Sequence, residues 1–254
     1  MNSRVILFMP VVFMLGCSYF RNRVEPEMLD SGLTLVLPGI EGQSFFNSNI
    51  AQGLIDSDVE TAVEVHDWTT GWMINFLYHL QAYGRNLKQA DILAQKIIDY
   101  QDKFPGRPVN LVGHSGGCGI ILMALNALPE DRKVSHVILL APAVSRRFDL
   151  STALSRTENG IWNFHSYGDT VLLILGTTMA GSMDRKFGAS AGSIGFIAPK
   201  DSSESQEQEY RDKLHQVHYH LGMLKTGYVG GHFGLTNRRF VRKYLSPLLR
   251  PESN

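Results

Sequence analysis

The chain has 254 residues, of which 44% are hydrophobic and 19% are charged. This composition supplies enough apolar side chains for a buried core and excludes a largely disordered protein. The 24 basic residues balance the 24 acidic ones, and the basic pairs are short and scattered. Because nucleic-acid binding needs a concentrated excess of Lys and Arg, no nucleic-acid partner is expected.

The first segment has the pattern of an export signal. Residues 1–4 carry one positive charge, and residues 5–15 are apolar apart from one proline. This run is shorter than the roughly 20 residues of a membrane-spanning helix, but it matches the hydrophobic region of a secretory signal. It ends in Met14-Leu15-Gly16-Cys17, which resembles the lipobox of bacterial lipoproteins, although Met14 stands where the pattern usually has Leu.

The resemblance implies a signal peptide over residues 1–17, a lipid on Cys17 and a polar tether over residues 18–32. The protein would then be anchored to a membrane of the bacterial cell envelope, and Ser18 is typical of sorting to the outer membrane. A plain cleaved signal peptide and an uncleaved anchor are the alternatives. Cys118 is the only other cysteine, so a lipidated Cys17 leaves no intramolecular disulfide.

Residues 33–254 alternate between short apolar runs and helical periodicities, which predicts a single α/β domain. Strands are predicted at 33–37, 61–65, 109–112, 134–140, 160–167 and 214–221, and helices at 43–54, 86–103, 115–128 and from 233 onward. The pattern indicates a mostly parallel sheet of about six strands, flanked by helices on both faces. Residues 200–211, rich in Ser, Glu and Gln, are predicted as an exposed loop.

The sharpest chemical signal is Gly113-His114-Ser115-Gly116-Gly117, which fits G-x-S-x-G between an apolar strand and a helix. Such a turn is so tight that side chains two residues before and after the serine would collide, so both positions need glycine. The turn lifts the serine into the cleft at a helix N-terminus, where free N–H groups face a developing oxyanion. We therefore expect Ser115 to be a nucleophile and His114 to pack rather than react.

With this motif, residues 33 to about 249 resemble the α/β-hydrolase superfamily in its lipase/esterase-like branch. The family orders its triad as Ser, then Asp or Glu, then His. The resemblance implies a triad of Ser115, Asp169 after the fifth strand and His232 before the last helix. Asp149 and Asp184 are the alternative acids. No segment corresponds to the two initial antiparallel strands or the large cap domain of bigger family members.

An oxyanion hole needs two backbone N–H groups. One would belong to Gly116, and by resemblance the other would be that of Ile40, in the loop over residues 38–42 after the first strand. The His-Gly-Gly-Gly motif of one family branch is absent. His215, His218 and His220 have no matching carboxylate spacing, so they are expected to be ordinary strand residues and not a metal site.

The resemblance implies a serine hydrolase that cleaves carboxylic ester or thioester bonds through an acyl-Ser115 intermediate. No metal or organic cofactor is needed for this chemistry. The expected substrate is a small-molecule ester or a lipid. Acyl transfer or amide and peptide cleavage could use the same triad, because fold does not fix the substrate. A non-catalytic envelope lipoprotein that retains the fold is the third alternative.

Overall fold

A computed structural model describes residues 22–42, 44–70, 78–79, 82–169, 182–186 and 188–250. These residues form one six-stranded sheet in which all neighbouring strands are parallel, in the order β2-β1-β3-β4-β5-β6. The strands are β1 Leu33–Leu37, β2 Ala62–Val65, β3 Val109–His114, β4 His136–Leu140, β5 Ile161–His165 and β6 Leu214–His218. The predicted α/β class and the six strands are confirmed.

Helical segments connect the strands. They are α1 Pro26–Ser31, α2 Phe45–Ile55, α3 Tyr83–Lys103, α4 Gly116–Ala127, α5 Ser151–Ser155, α6 Ala191–Ile194 and α7 Glu204–Lys213. The closing helix predicted from residue 233 onward is built of four short pieces. They are a 3-10 turn Gly234–Thr236, α8 Arg238–Phe240, a π turn Val241–Leu245 and a 3-10 turn Ser246–Leu249.

Alternate residues of the central strands pack into two separate apolar clusters. Leu35 and Leu37 face one side of the sheet, where α3, α4, α5 and α7 cover them. Val36 faces the other side, against α2 and the C-terminal turns. Because both faces are covered, the central strands β1 and β4 are apolar at nearly every position. The same arrangement leaves the carboxyl ends of the strands as the edge at which polar side chains collect.

The exposed loop predicted over residues 200–211 is wrong, because α7 begins at Glu204. Ser203 Oγ accepts a hydrogen bond from the Gln206 N–H, and Gln206 Oε1 accepts one from the Ser203 N–H. This reciprocal capping box starts the helix. One buried side chain, Tyr210, holds it to the domain by donating its hydroxyl toward Asp149 and accepting the Leu150 N–H at 2.6 Å.

Part of the predicted tether is packed on the domain. Helix α1 lies within it, and Arg23 forms an isolated antiparallel bridge with Val63 at the β2 edge of the sheet. The Arg23 guanidinium also donates to the carbonyls of Val59 and Thr61. No antiparallel strand joins the sheet in the described part of the chain.

The predicted signal peptide and Cys17 lie outside the described residues. Within the described ranges, no helix has both the length and the apolar character needed to cross a membrane.

Candidate active site

Ser115 occupies a strained turn between β3 and α4. Its backbone has φ 52° and ψ −116°, in the left-handed region that side chains other than glycine rarely adopt. A Cβ on Gly113 would lie 2.8 Å from Ile121 Cδ1, and one on Gly117 would collide with the backbone at the end of β1. The two glycines of the motif therefore allow helix and strands to approach closely enough to form the turn.

His232 and Asp169 form a buried pair beside this turn. His232 Nδ1 lies 2.7 Å from Asp169 Oδ1, and the two residues are 8% and 2% exposed. Asp169 ends a 3-10 turn, Tyr167–Asp169, that follows β5 directly. A carboxylate only accepts hydrogen bonds, so Nδ1 carries the hydrogen and Nε2 is left with a free lone pair. This is the tautomer that a general base requires.

Glycines bring the two loops of this pair together. A Cβ on Gly168 would lie 2.5 Å from the carbonyl oxygen of Gly230, and Gly230 itself has φ +89°. The turn that holds Asp169 and the loop that holds His232 therefore touch through their backbones.

The two alternative acids lie elsewhere. Asp149 Oδ1 accepts the N–H of Ser151, the first residue of α5; burial would raise the Asp149 pKa, but hydrogen bonds from Ser151 and Tyr210 outweigh it and lower that pKa. Asp184 Oδ1 accepts the Ser145 N–H and the Ser182 hydroxyl.

Ser115 is 4% exposed and lies next in sequence to His114, whose ring centroid is 4.8 Å from that of His232. Within the described part of the chain, no hydrogen bond joins Ser115 Oγ to His232. Such hydrogen bonds are often long in unliganded enzymes and shorten when substrate binds.

Two backbone N–H groups, those of Gly116 and Ile40, lie near each other where the loop after β1 meets α4. Gly116 is the first residue of α4, so its N–H has no partner within the helix. The Ile40 nitrogen lies 3.5 Å from the position that a Cβ on Gly116 would take. Neither N–H donates a hydrogen bond to another described residue. The two groups predicted to bind an oxyanion are thus neighbours.

Two buried side chains hold this loop. His79 Nε2 accepts the Thr70 N–H at 3.1 Å, so its hydrogen is on Nδ1, which donates to the Ile40 carbonyl at 2.7 Å. Trp68 Nε1 donates to the Pro38 carbonyl at 2.7 Å. Both side chains are fully buried. They reach the loop from distant parts of the chain, so no local sequence pattern predicts these contacts.

His114 does more than the expected packing. Its side chain is fully buried, with Nδ1 3.6 Å from Glu41 Oε1 and Nε2 3.2 Å from the His232 carbonyl oxygen. Burial alone would raise the pKa of Glu41, but the nearby His114 imidazole, with help from the Asn47 amide, lowers that pKa to about 2. Glu41 is therefore a carboxylate at neutral pH.

Aromatic side chains border the site. The Phe233 ring lies edge-on to His232 with centroids 5.1 Å apart, and it stacks on Phe46 at 4.5 Å. Phe45, Tyr167 and Val229 are 69%, 64% and 73% exposed. We call these five residues the apolar rim.

Cys118, His215 and His218, which the sequence predicts to be packing residues, pack against neighbouring side chains or the core. Burial raises the pKa of the Cys118 thiol well above its ordinary value, so it stays protonated and packs in the core. His215 stacks on Trp162, and His218 packs edge-on to His165. Among the described residues, no group of three or more His, Cys, Asp or Glu could hold a metal ion.

The chain was compared with known proteins. No family model and no curated protein matches it. Among solved structures it is similar to a dienelactone hydrolase-like promiscuous phosphotriesterase from metagenomic libraries, with 11% identity, 86% of this chain and 85% of the other covered, and a TM-score of 0.50. It is also similar to the Thermus thermophilus protein TT1662, with 12% identity, coverages of 92% and 100%, and a TM-score of 0.51.

At these identities the likeness shows the fold alone. The parallel six-stranded sheet with helices on both faces is an α/β-hydrolase fold.

Proposed function

We propose that the chain is a serine hydrolase that cleaves carboxylic ester or thioester bonds, with Ser115, His232 and Asp169 as its triad. One observation carries this proposal. A buried His232–Asp169 pair, 2.7 Å between Nδ1 and Oδ1, lies beside a serine held in a strained strand-to-helix turn. The pair fixes the imidazole tautomer, and the strained turn presents the nucleophile.

In the first half of the proposed reaction, Ser115 Oγ attacks the carbonyl carbon of the substrate while His232 Nε2 removes its proton. Asp169 stabilises the imidazolium that forms. The negative charge on the former carbonyl oxygen is met by the N–H groups of Ile40 and Gly116. The tetrahedral intermediate then collapses, the bond to the leaving alcohol or thiol breaks, and His232 gives that group its proton.

In the second half, a water molecule attacks the acyl-Ser115 carbonyl carbon. His232 Nε2 removes a proton from the water, and the same two N–H groups receive the new oxyanion. Collapse of this intermediate releases the carboxylic acid, and Ser115 Oγ regains a proton from His232. No metal or organic cofactor takes part.

The apolar rim supports an ester with an apolar acyl or alcohol group. Phe46 and Phe233 stack beside His232, so an apolar substituent that lies over them would remove their ring surfaces from water. A small-molecule ester or a lipid would fit this preference.

The test is hydrolysis of p-nitrophenyl esters with acyl chains from two to sixteen carbons (about the span of common substrates). Wild type is compared with Ser115→Ala and His232→Ala, and Ser155→Ala in α5 is the matched control. Circular dichroism checks that each variant is folded. We expect activity in wild type and the control, and loss of about 10⁴-fold or more in the two site variants. Retained activity in Ser115→Ala would contradict the proposal.

A fluorophosphonate probe gives a second readout that needs no particular ester. The probe should label Ser115 in wild type and fail to label Ser115→Ala. A folded wild-type protein that neither hydrolyses esters nor takes the probe would favour the non-catalytic alternative.

We further propose that Cys17 is lipidated and anchors the protein in the bacterial cell envelope. The signal pattern ending in Met14-Leu15-Gly16-Cys17 supports this. Expression of the full chain in a bacterial host with an alkyne-labelled fatty acid should label wild type and Cys118→Ala, and place both in the membrane fraction. Label retained in Cys17→Ser would contradict the anchor.

A further inference from the structure

An ionisable pair, the buried His114 and the half-buried Glu41, lies beside the proposed triad and takes no part in the chemical steps. The His114 side chain is 0% exposed and that of Glu41 is 16% exposed. Glu41 follows Ile40 of the oxyanion loop, and His114 precedes Ser115. His114 Nε2 also contacts the His232 carbonyl oxygen at 3.2 Å. One pair thus touches all three loops that supply the proposed chemistry.

Both nitrogens of His114 face groups that only accept hydrogen bonds. The carbonyl oxygen of His232 cannot donate, so Nε2 must carry a hydrogen. Nδ1 lies 3.6 Å from Glu41 Oε1, an ion-pair distance beyond hydrogen-bond reach, and it is buried without a hydrogen-bond partner among the described residues. An ionised carboxylate cannot donate either. A neutral imidazole has one N–H only and would point a buried lone pair at an acceptor, which is costly. The form that fits has hydrogens on both nitrogens.

Glu41 is held in place as an anion. Asn47 Nδ2 donates to Glu41 Oε1 at 2.8 Å. The carboxylate folds back over Gly39, where it occupies the space that a Cβ would take. The low pKa of Glu41 agrees with an ionised group facing a cation. The loop backbone is therefore built around this carboxylate.

We propose that Glu41 and His114 form a buried carboxylate–imidazolium pair that positions the oxyanion loop, the nucleophile turn and the His232 loop. His114 is a positioning residue, since it contacts the His232 backbone and no reacting atom. The kinetic consequences rest on the proposed serine hydrolase function, but the protonation state of His114 does not.

The pair also has an electrostatic consequence. The ionisable groups that face the His114 ring in the described chain are Glu41 and His232, with Asp169 behind His232. A second positive charge on His232 is opposed by the His114 cation, 4.8 Å away between ring centroids. Loss of that cation makes His232 easier to protonate, so the acid limb of the kcat/KM profile moves to higher pH.

The direct test is nitrogen NMR of the purified protein labelled with ¹⁵N-histidine. The His114 signals are assigned by their loss in His114→Gln. We expect both His114 ring nitrogens to be protonated from pH 6 to 8, and one to lose its hydrogen in Glu41→Gln, which removes the counter-charge with little change in shape. One unprotonated His114 nitrogen in wild type over this range would overturn the proposal, and this result needs no variant to fold.

The kinetic test compares His114→Gln and Glu41→Gln with His165→Gln, which removes a buried histidine of β5 outside the pair. We expect kcat to fall about tenfold to a hundredfold in the first two variants, with KM changed less than about twofold. Misplaced catalytic groups slow the chemical step more than they weaken substrate binding. The acid limb of the kcat/KM profile should move to higher pH in both variants. The shift should be larger in His114→Gln, because the Glu41 anion remains there without its counter-charge. His165→Gln should leave kcat and the acid limb unchanged.

Wild-type kcat and an unmoved acid limb in His114→Gln would overturn the positioning role. If no ester is turned over, the pH dependence of fluorophosphonate labelling at Ser115 gives the same comparison. If His114 is doubly protonated but the protein never reacts with the probe, the proposed ion pair is correct and the proposed serine hydrolase function is wrong.

Discussion

Asp169 and His232 share one short hydrogen bond, and only one carboxylate oxygen of Asp169 takes part in it. Oδ1 lies 2.7 Å from His232 Nδ1, whereas Oδ2 is buried without a hydrogen-bond partner among the described residues. Carboxylates that serve only structure usually satisfy both oxygens. The arrangement therefore commits Asp169 to His232 and makes the pair sensitive to any change of the carboxylate.

Asp169→Asn is expected to lower kcat about 10³- to 10⁴-fold with little change in KM. The amide can present its N–H₂ to the imidazole and so favour the tautomer in which Nε2 cannot act as a base. Ester hydrolysis and thermal unfolding measure the effect. Asp149→Asn, which alters a hydrogen bond at the start of α5, is the matched control and should keep wild-type kcat. If Asp149→Asn lost activity and Asp169→Asn kept it, Asp149 would be the acid of the triad instead of Asp169.

Gly116→Ala is expected to lower kcat about a hundredfold, because the new Cβ would lie 2.5 Å from Ile40 Cγ2 and force the two N–H groups apart. Gly84→Ala is the control. Gly84 lies in α3 with nothing within 4 Å of an added Cβ, so alanine there should keep activity and add about 0.5–1 kcal/mol to the unfolding free energy. Wild-type kcat in Gly116→Ala would rule out its N–H as a precisely placed oxyanion donor.

Acid should destabilise the protein through His165. Burial, and secondly the charge of His218, lower the pKa of His165 from 6.5 to about 4. Between these values the unfolded chain binds a proton that the folded chain does not, so stability is lost as pH falls from 6.5 to 4, by about 3 kcal/mol. Urea unfolding at pH 7.5 and 4.5 should show a smaller loss in His165→Gln than in wild type.

The exposed His220 provides the control for this pH dependence. His220→Gln should lose as much stability on acidification as wild type does. An equal loss in His165→Gln would show that other groups, such as the half-buried His66, whose pKa burial also lowers, account for the acid sensitivity.

The central strands were predictable because burial on both faces makes them apolar at most positions. Val36 and Leu37 point to opposite sides of the sheet and are both fully buried, so the run reads as continuous. The Ser115 turn was predictable because the tight local backbone geometry requires glycine on both sides of the serine. Helix α7 was missed because nearly all of its residues are polar, although Ser203 and Gln206 at capping-box spacing were a usable signal.

The contacts that support the candidate site could not be predicted. His79, Trp68 and Glu41 reach the loop after β1 or the nucleophile turn from separate segments, and each is defined by a tertiary hydrogen bond or charge contact. A local pattern identifies a residue that must adopt a special backbone shape. It does not identify a side chain whose partner is 39 residues away, as Ile40 is from His79.

The Arg23–Val63 bridge sets the direction from which any anchor would hold the protein. The bridge is antiparallel, so the chain before Arg23 runs toward the carboxyl end of β2, the same edge at which Ser115 and Asp169 lie. Four residues lie between Asn22 and Cys17, so these two residues are at most about 18 Å apart. If Cys17 carries the proposed lipid, the tether would hold the edge of the sheet with Ser115 and Asp169 near the bilayer, where a membrane-borne ester would have a short path to the serine.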